Sequence, residues 1–161
     1  MAEATTIGLY SFPKSGNTWV RHILASLLGI DKANLGKYIP DSHRQGIVED
    51  PIDFKGRTYY IYKSHYNKEL RRKAGIKFRN DLIIHIRRNP LDCGLSLYKQ
   101  YFAQGVGYSY DQASIGTYYN GYLSLMDHWN VVLSERVFHL AYEDLVVDPE
   151  SHVPSLLEHI G

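Results

Sequence analysis

The residues with the clearest chemistry lie near the start of the chain, in Pro13-Lys14-Ser15-Gly16-Asn17-Thr18-Trp19. A short apolar run at residues 7–12 leads into this segment and an amphipathic pattern leaves it. A loop that joins a strand to a helix N-terminus aims several backbone N–H groups, and the positive end of the helix dipole, at one point; a phosphate or sulfate suits that point. Ser15, Asn17 and Thr18 add side-chain donors, and Lys14 adds a full positive charge. The nucleoside-triphosphate version of such a loop, GxxxxGK[ST], has its lysine at the helix start beside a magnesium-binding hydroxyl, an order absent here. The run at 82–87 ends in Arg87-Arg88, cations where a magnesium nucleotide needs a carboxylate. A P-loop kinase or nucleotidase is therefore the weaker reading.

The elements that must position this loop can be read from periodicity. Strands are expected at 7–12, 58–63, 82–87 and 137–142, each short, rich in β-branched or aromatic residues, and closed by polar or turn residues. Val20, Ile23, Leu24, Leu27 and Leu28 share one helix face, and Gly29 supplies a stop. A second helix is expected from Pro90 to about Phe102, with Pro90 in the first turn. A third carries Ile115, Tyr118, Tyr122, Met126 and Trp129 on one long face. A last one starts at the cap Asp148 and ends at Gly161. Strands alternating with helices predict an α/β fold: a central parallel sheet covered on both faces, in three layers, with the strand-loop-helix unit of a P-loop-like site. Residues 31–57 show no period and read as a long loop over the C-terminal edge of the sheet.

With 161 residues, of which 44% are hydrophobic and 22% charged, the chain fits one globular domain, 1–161, rather than a disordered polymer. Eighteen basic against seventeen acidic side chains leave a net charge of +1, which argues against a nucleic-acid partner and requires any anion site to be local. No apolar stretch approaches the ~20 residues that cross a bilayer, so no membrane partner is expected. The single cysteine, Cys93, and an N-terminus without the marks of a secretory signal point to a reducing, cytoplasmic setting.

The heptad 13–19 resembles the PKSGTTW 5′-phosphosulfate loop of sulfotransferases that use 3′-phosphoadenosine-5′-phosphosulfate (PAPS), with Asn17 in place of the commoner Thr. Two further segments match in the same order. Arg88-Asn89-Pro90-Leu91-Asp92-Cys93-Gly94-Leu95-Ser96 is similar to the family's 3′-phosphate segment RNxxDxxxS, and the residues 137–144, VFHLAYED, are similar to the strand and YEDL segment near the adenine. The resemblance implies that Lys14, Ser15, Gly16, Asn17, Thr18 and Trp19 hold the 5′ end and the base. It implies that Arg88 and Ser96 grip the 3′-phosphate, and that Tyr142 contacts the nucleotide. An arginine fork and a hydroxyl suit a phosphate dianion.

Lys63-Ser64-His65 looks like the family's segment that carries the general base. An acceptor hydroxyl is a poor nucleophile while it keeps its proton, and an imidazole suits the removal of that proton at neutral pH. The catalytic set implied is His65 as base, Lys14 on the leaving oxygen and Lys63 on the sulfuryl group, with no metal. A loop carboxylate, Glu49 or Asp50, is the alternative base, while His85 reads as a packed residue. PAPS is the expected co-substrate, 3′,5′-ADP the product, and a small molecule or saccharide the acceptor; homo-oligomerisation is left open. The family normally continues past the helix ending near Gly161, into a basic segment over the 3′-phosphate, so a non-catalytic domain that binds the nucleotide is the rival expectation.

Overall fold

The computed structural model describes residues 4–42, 50–65, 81–100, 102 and 106–161. Five strands form one sheet in the order β2-β3-β1-β4-β5: β1 Thr5–Ser11, β2 Ile52–Phe54, β3 Arg57–His65, β4 Leu82–Arg87 and β5 Val137–Ala141. β3, β1, β4 and β5 are parallel, and β2 alone runs antiparallel to β3. The fold is α/β, with a mostly parallel sheet flanked by helices. β1 is central and its residues from Ile7 to Ser11 are buried, as expected of a strand covered on both faces. The chain pairs β3 with one edge of β1 and β4 with the other. That reversal leaves a crevice beyond the C-terminal end of β1, where open α/β sheets bind ligands.

The helices are α1 Asn17–Leu27, α2 Leu35–Tyr38, α3 Pro90–Lys99, α4 Gln112–Val132, α5 Tyr142–Val147 and α6 Pro149–Ile160. α1 ends in a Schellman motif: Gly29 takes φ 71°, its N–H bonds Ser26 O, and Ile30 N–H bonds Ala25 O. Asn89 and Asp148 cap α3 and α6, each followed by proline at the first helical position. One face of the sheet packs Ile7, Leu9, Ile61, Ile84, Ile86 and Leu140 against α1 and α6. The other packs Tyr10, Phe12, Tyr62 and Ile83 against α3 and α4 through Leu97, Tyr122, Met126 and Trp129.

The structure corrects several boundaries. Residues 31–57 are not one long loop, because they contain α2, a 3-10 turn at Lys32–Asn34, and β2. Elements of three and four residues are too short to display a period. β2 is held by a two-residue hairpin to β3, in which Lys55 and Gly56 both have positive φ (49° and 76°), the geometry of a type I′ turn. α3 ends at Lys99 rather than near Phe102, as Gln100 turns extended. The last strand stops at Ala141, and Tyr142 opens α5, a helix with Leu145 as its one buried residue.

Candidate active site

The loop 13–16 leaves β1 in a strained conformation. Lys14 has φ 70° and Gly16 φ 91°, so two left-handed residues flank Ser15, whose N–H bonds back to Phe12 O at 3.3 Å; alternation of this kind is the backbone pattern of an anion nest. Val20 N–H is bonded to Gly16 O at 3.1 Å, which puts the N–H groups of Asn17, Thr18 and Trp19 ahead of the helical ladder. Gly16 is needed twice over. Besides its positive φ, a Cβ built there would lie 2.4 Å from Cδ2 of Tyr142.

Tyr142 ties the loop to the segment that begins at Arg88. The guanidinium carbon of Arg88 sits 4.5 Å from the centre of its ring, and Trp19 meets the ring edge-on at 5.6 Å. Arg88 Nη1 donates to Lys14 O at 2.9 Å, so the arginine touches the loop itself. Its Nε is buried without a partner among the described residues. A buried guanidinium N–H in that state is costly unless a ligand completes it, and an anion does so best. Arg88 and Ser96 line one groove of about 370 Å³ with Asp92, Leu95, Lys99 and Gln100. Lys14 Nζ donates to Gln100 Oε1, which closes the groove toward the loop. The structure thus gathers the loop, Trp19, Arg88, Ser96 and Tyr142 into one region.

The side chains of the loop divide. Thr18 and Trp19 are exposed, whereas Ser15 and Asn17 are buried. Ser15 Oγ lies 3.4 Å from Cys93 Sγ on α3, and burial pushes the Cys93 thiol up. Asn17 Nδ2 faces Ser11 Oγ at 3.0 Å and the carbonyls of Leu9 and Ser64 at 3.3 Å each, while its Oδ1 is buried with no partner among the described residues. Asn17 can therefore serve an anion through its backbone N–H, whereas the Ser15 N–H is bonded to Phe12 O at 3.3 Å, and both side chains are turned into the protein.

At the end of β3, His65 stands beside Ser11 in the parallel register, its Nδ1 3.2 Å from Ser11 Oγ. Lys63, two residues back on the same face, is buried and paired with Asp41 at 2.8 Å. Asp41 is brought there by Arg21 of α1, which donates to Ile39 O and Leu35 O, and by Lys63 N–H bonding Pro40 O. Of the alternative bases, Asp50 lies 4.0 Å from Lys37 at the surface, and Glu49 falls outside the described residues. His85 is a packed residue. It bonds Tyr122 through Nε2 and His139 through Nδ1, and burial, with the charges of His139 and Arg87, drives its pKa down to about 3.

Three contributors escaped sequence reading. Ser11 and Asp41 meet their partners across the sheet, and Glu143 accepts the N–H of Asn89 at 2.8 Å, which fixes the turn after Arg88. Glu143 carried a signal, as neighbour of Tyr142 in the segment singled out; Ser11 and Asp41 carried none.

Residues 55–161 match a family model described as the sulfotransferase family. The chain belongs to the sulfotransferase family. The matched residues include Lys63, His65, Arg88, Ser96 and Tyr142, whereas the loop 13–19 precedes them. The chain is also 34% identical over 86 residues to a protein of Aquifex aeolicus (strain VF5) described as uncharacterized. That match spans 52% of this chain and 11% of the Aquifex protein. Among the described residues, no helix is long and apolar enough to cross a membrane.

Proposed function

We propose that the protein transfers the sulfuryl group of PAPS to an acceptor hydroxyl or amine by in-line displacement. The observation that carries this reading is the contact of Arg88 Nη1 with Lys14 O at 2.9 Å, which puts two anion cradles within reach of one ligand. A nucleotide with a phosphosulfate at 5′ and a phosphate at 3′ has that charge pattern; a simple nucleoside triphosphate does not. The 5′ group takes the nest at Lys14 and Gly16 and the N–H groups of Asn17 to Trp19. The 3′-phosphate takes Arg88, whose orphaned Nε it completes, and Ser96. Trp19 and Tyr142 offer aromatic surface to the adenine, worth ~1–3 kcal/mol for a stacked base.

In the transfer step, the acceptor proton passes to His65, the acceptor oxygen or nitrogen forms a bond to sulfur, and the bond from sulfur to the 5′-phosphate oxygen breaks. The electron pair stays on 3′,5′-ADP. Negative charge builds on the leaving phosphate and the equatorial sulfuryl oxygens, and Lys14 and the backbone N–H groups stabilise it. Lys63 contributes to the sulfuryl group once its bond to Asp41 opens. All the charge used in this step comes from the chain.

A second reading, a domain that binds the nucleotide without transfer, draws on that same Asp41–Lys63 pair, which neutralises one of the cations the chemistry uses. Labelled PAPS supplied with phenols, alcohols, amines and saccharides separates the two. Transfer to any of these acceptors, abolished in Lys14→Ala, supports the enzyme; binding of 3′,5′-ADP without transfer supports the second reading. His65→Ala is expected to lower transfer ~10²–10⁴-fold while leaving 3′,5′-ADP affinity nearly intact. Equal loss of binding would make His65 structural.

A further inference from the structure

Two exposed stripes run side by side along α3. Leu91, Leu95 and Tyr98 follow i, i+4, i+7 spacing and are 80%, 52% and 53% exposed, so an apolar face of the helix meets solvent. Asp92, Ser96 and Lys99 follow the same spacing one position on, which turns them about 100° around the axis. The fold needs neither stripe for its core, because Cys93 and Leu97 are the residues of α3 buried in the aromatic layer. Three large apolar side chains in a row at the surface mark a place where something docks.

Each stripe borders its own depression. The polar one lines the groove of about 370 Å³ that Arg88 and Gln100 share. The apolar one lines a second groove, of about 410 Å³, between α3 and α4, where Ile115, Gly116 and Tyr119 supply the α4 side. That volume is in the range of small-molecule sites, ~300–1,000 Å³. Gly116 keeps it open: a Cβ built there meets no atom within 4 Å. Leu95 lines both grooves, so they adjoin at one side chain.

A ligand that fills both must be apolar at one end and anionic at the other. The polar groove sets the Arg88 guanidinium and the Lys99 ammonium against one carboxylate, Asp92, so its charge favours an anion. Among the described residues that line the apolar groove, none is charged. We infer that the groove between α3 and α4 binds an aromatic anion of the arylsulfonate kind, its ring against Leu91, Leu95 and Ile115 and its head at Arg88 and Lys99. Such a ligand is not the acceptor. In the proposed function the sulfuryl group lies at the loop 13–19, and the bond from Lys14 Nζ to Gln100 Oε1 closes the polar groove toward that loop. The ligand acts instead as an effector that keeps the 3′-phosphate off Arg88. This exclusion rests on the proposed nucleotide reading, whereas the groove itself does not.

Naphthalene-2-sulfonate, the neutral naphthalene-2-methanol and inorganic sulfate, each titrated into the full chain by calorimetry, separate the two ends of the site. The sulfonate is expected to bind about tenfold or more tightly than either of the others, and added salt should reduce that advantage. Gly116→Phe, which fills the groove from α4, should weaken the sulfonate about tenfold or more and leave 3′,5′-ADP affinity within about twofold. Leu91→Gln, at an exposed position, should weaken it by a smaller factor and serves if Gly116→Phe does not fold. The sulfonate should compete with 3′,5′-ADP and much less with 5′-AMP. Equal binding of the sulfonate and the neutral alcohol, sulfonate affinity unaltered in both variants, or simultaneous binding of sulfonate and 3′,5′-ADP overturns the inference. So does a dimer, seen by sedimentation, that Leu91→Gln splits, because a second copy would then cover the stripe. A wild type that binds the sulfonate but not 3′,5′-ADP overturns the nucleotide reading and leaves the groove standing.

Discussion

On the α1 side of the sheet, Ile7, Leu9, Ile61, Ile84, Ile86 and Leu140 make an aliphatic layer, and the polar groups Ser11, Asn17, Lys63 and His65 stand at its C-terminal edge. On the α4 side the layer is aromatic, and its polar groups lie inside it, bonded to one another: Tyr10 to Tyr62 at 2.7 Å, His85 to Tyr122 and His139. Burial decides what each group can do. A histidine enclosed in the second layer is held neutral and spends its nitrogens on neighbours, so it supports the fold. The same residue type at the rim of the first layer stands where the loop and the crevice meet. Position relative to the sheet edge, and not residue type, separates the scaffold from the chemistry.

The largest test of this division is Leu24→Ala. Leu24 is fully buried on the α1 side, and truncation there is expected to cost ~2–5 kcal/mol by urea denaturation. α1 carries the N–H groups of the loop at its other end, so 3′,5′-ADP affinity near the unfolding midpoint should fall in step with stability. Affinity lost well below that midpoint would mean that the aliphatic layer also shapes the site directly.

The α4 side is tested by acid. The folded-state pKa of His85 is depressed to about 3 from 6.5, chiefly by burial, so the unfolded chain binds a proton in this range and the folded chain does not. Stability from His85 is therefore fully present above pH 6.5 and is lost progressively as pH falls toward 3. Between pH 6.5 and 5 the loss is on the order of 2 kcal/mol, and His85→Gln should flatten the slope of Tm against pH over that window. An unchanged slope would place the acid-sensitive group elsewhere.

Gly16→Ala probes the meeting point of loop and aromatic clamp. A left-handed conformation costs a residue with a side chain ~1–3 kcal/mol, and the new methyl would collide with Tyr142. Weaker 3′,5′-ADP binding is the expected calorimetric result, and Gly16→Ala combined with Tyr142→Ala should lose less than the sum of the two single losses. Strict additivity would make the backbone conformation alone responsible.

Much of this was readable beforehand, for identifiable reasons. β1 is buried from Ile7 to Ser11, α1, α4 and α6 are periodic over several turns, and Gly29 and Asp148 mark ends of α1 and α6 by local chemistry. The loop 13–16 was legible as a connection because it lies between a strand and a helix. β2 and α2 were not, being too short to repeat, and α5 was not, since Leu145 is its only buried residue. The pairings Lys63–Asp41, His65–Ser11 and Asn89–Glu143 span 22, 54 and 54 residues. Strand register and crossovers create them, so no window along the chain contains them.

The smallest expected effect comes from Asn89, next to Arg88, the residue proposed to hold the 3′-phosphate. Its side chain accepts Leu91 N–H at 2.9 Å and caps α3, while its own N–H is held by Glu143. Asn89→Ala should cost ~1 kcal/mol of stability, the usual value of an N-cap. Asn89→Asp keeps a capping oxygen, so stability should be retained or slightly raised by the helix dipole. The added carboxylate, however, sits on the residue next to Arg88, whose guanidinium is proposed to hold the 3′-phosphate, and its repulsion should weaken 3′,5′-ADP binding while leaving 5′-AMP binding, which lacks the 3′ group, much less affected. If both nucleotides weakened equally, the groove at Arg88 and Ser96 would not be where the 3′-phosphate lies, and the rim of the aliphatic layer would have to accommodate both anions alone.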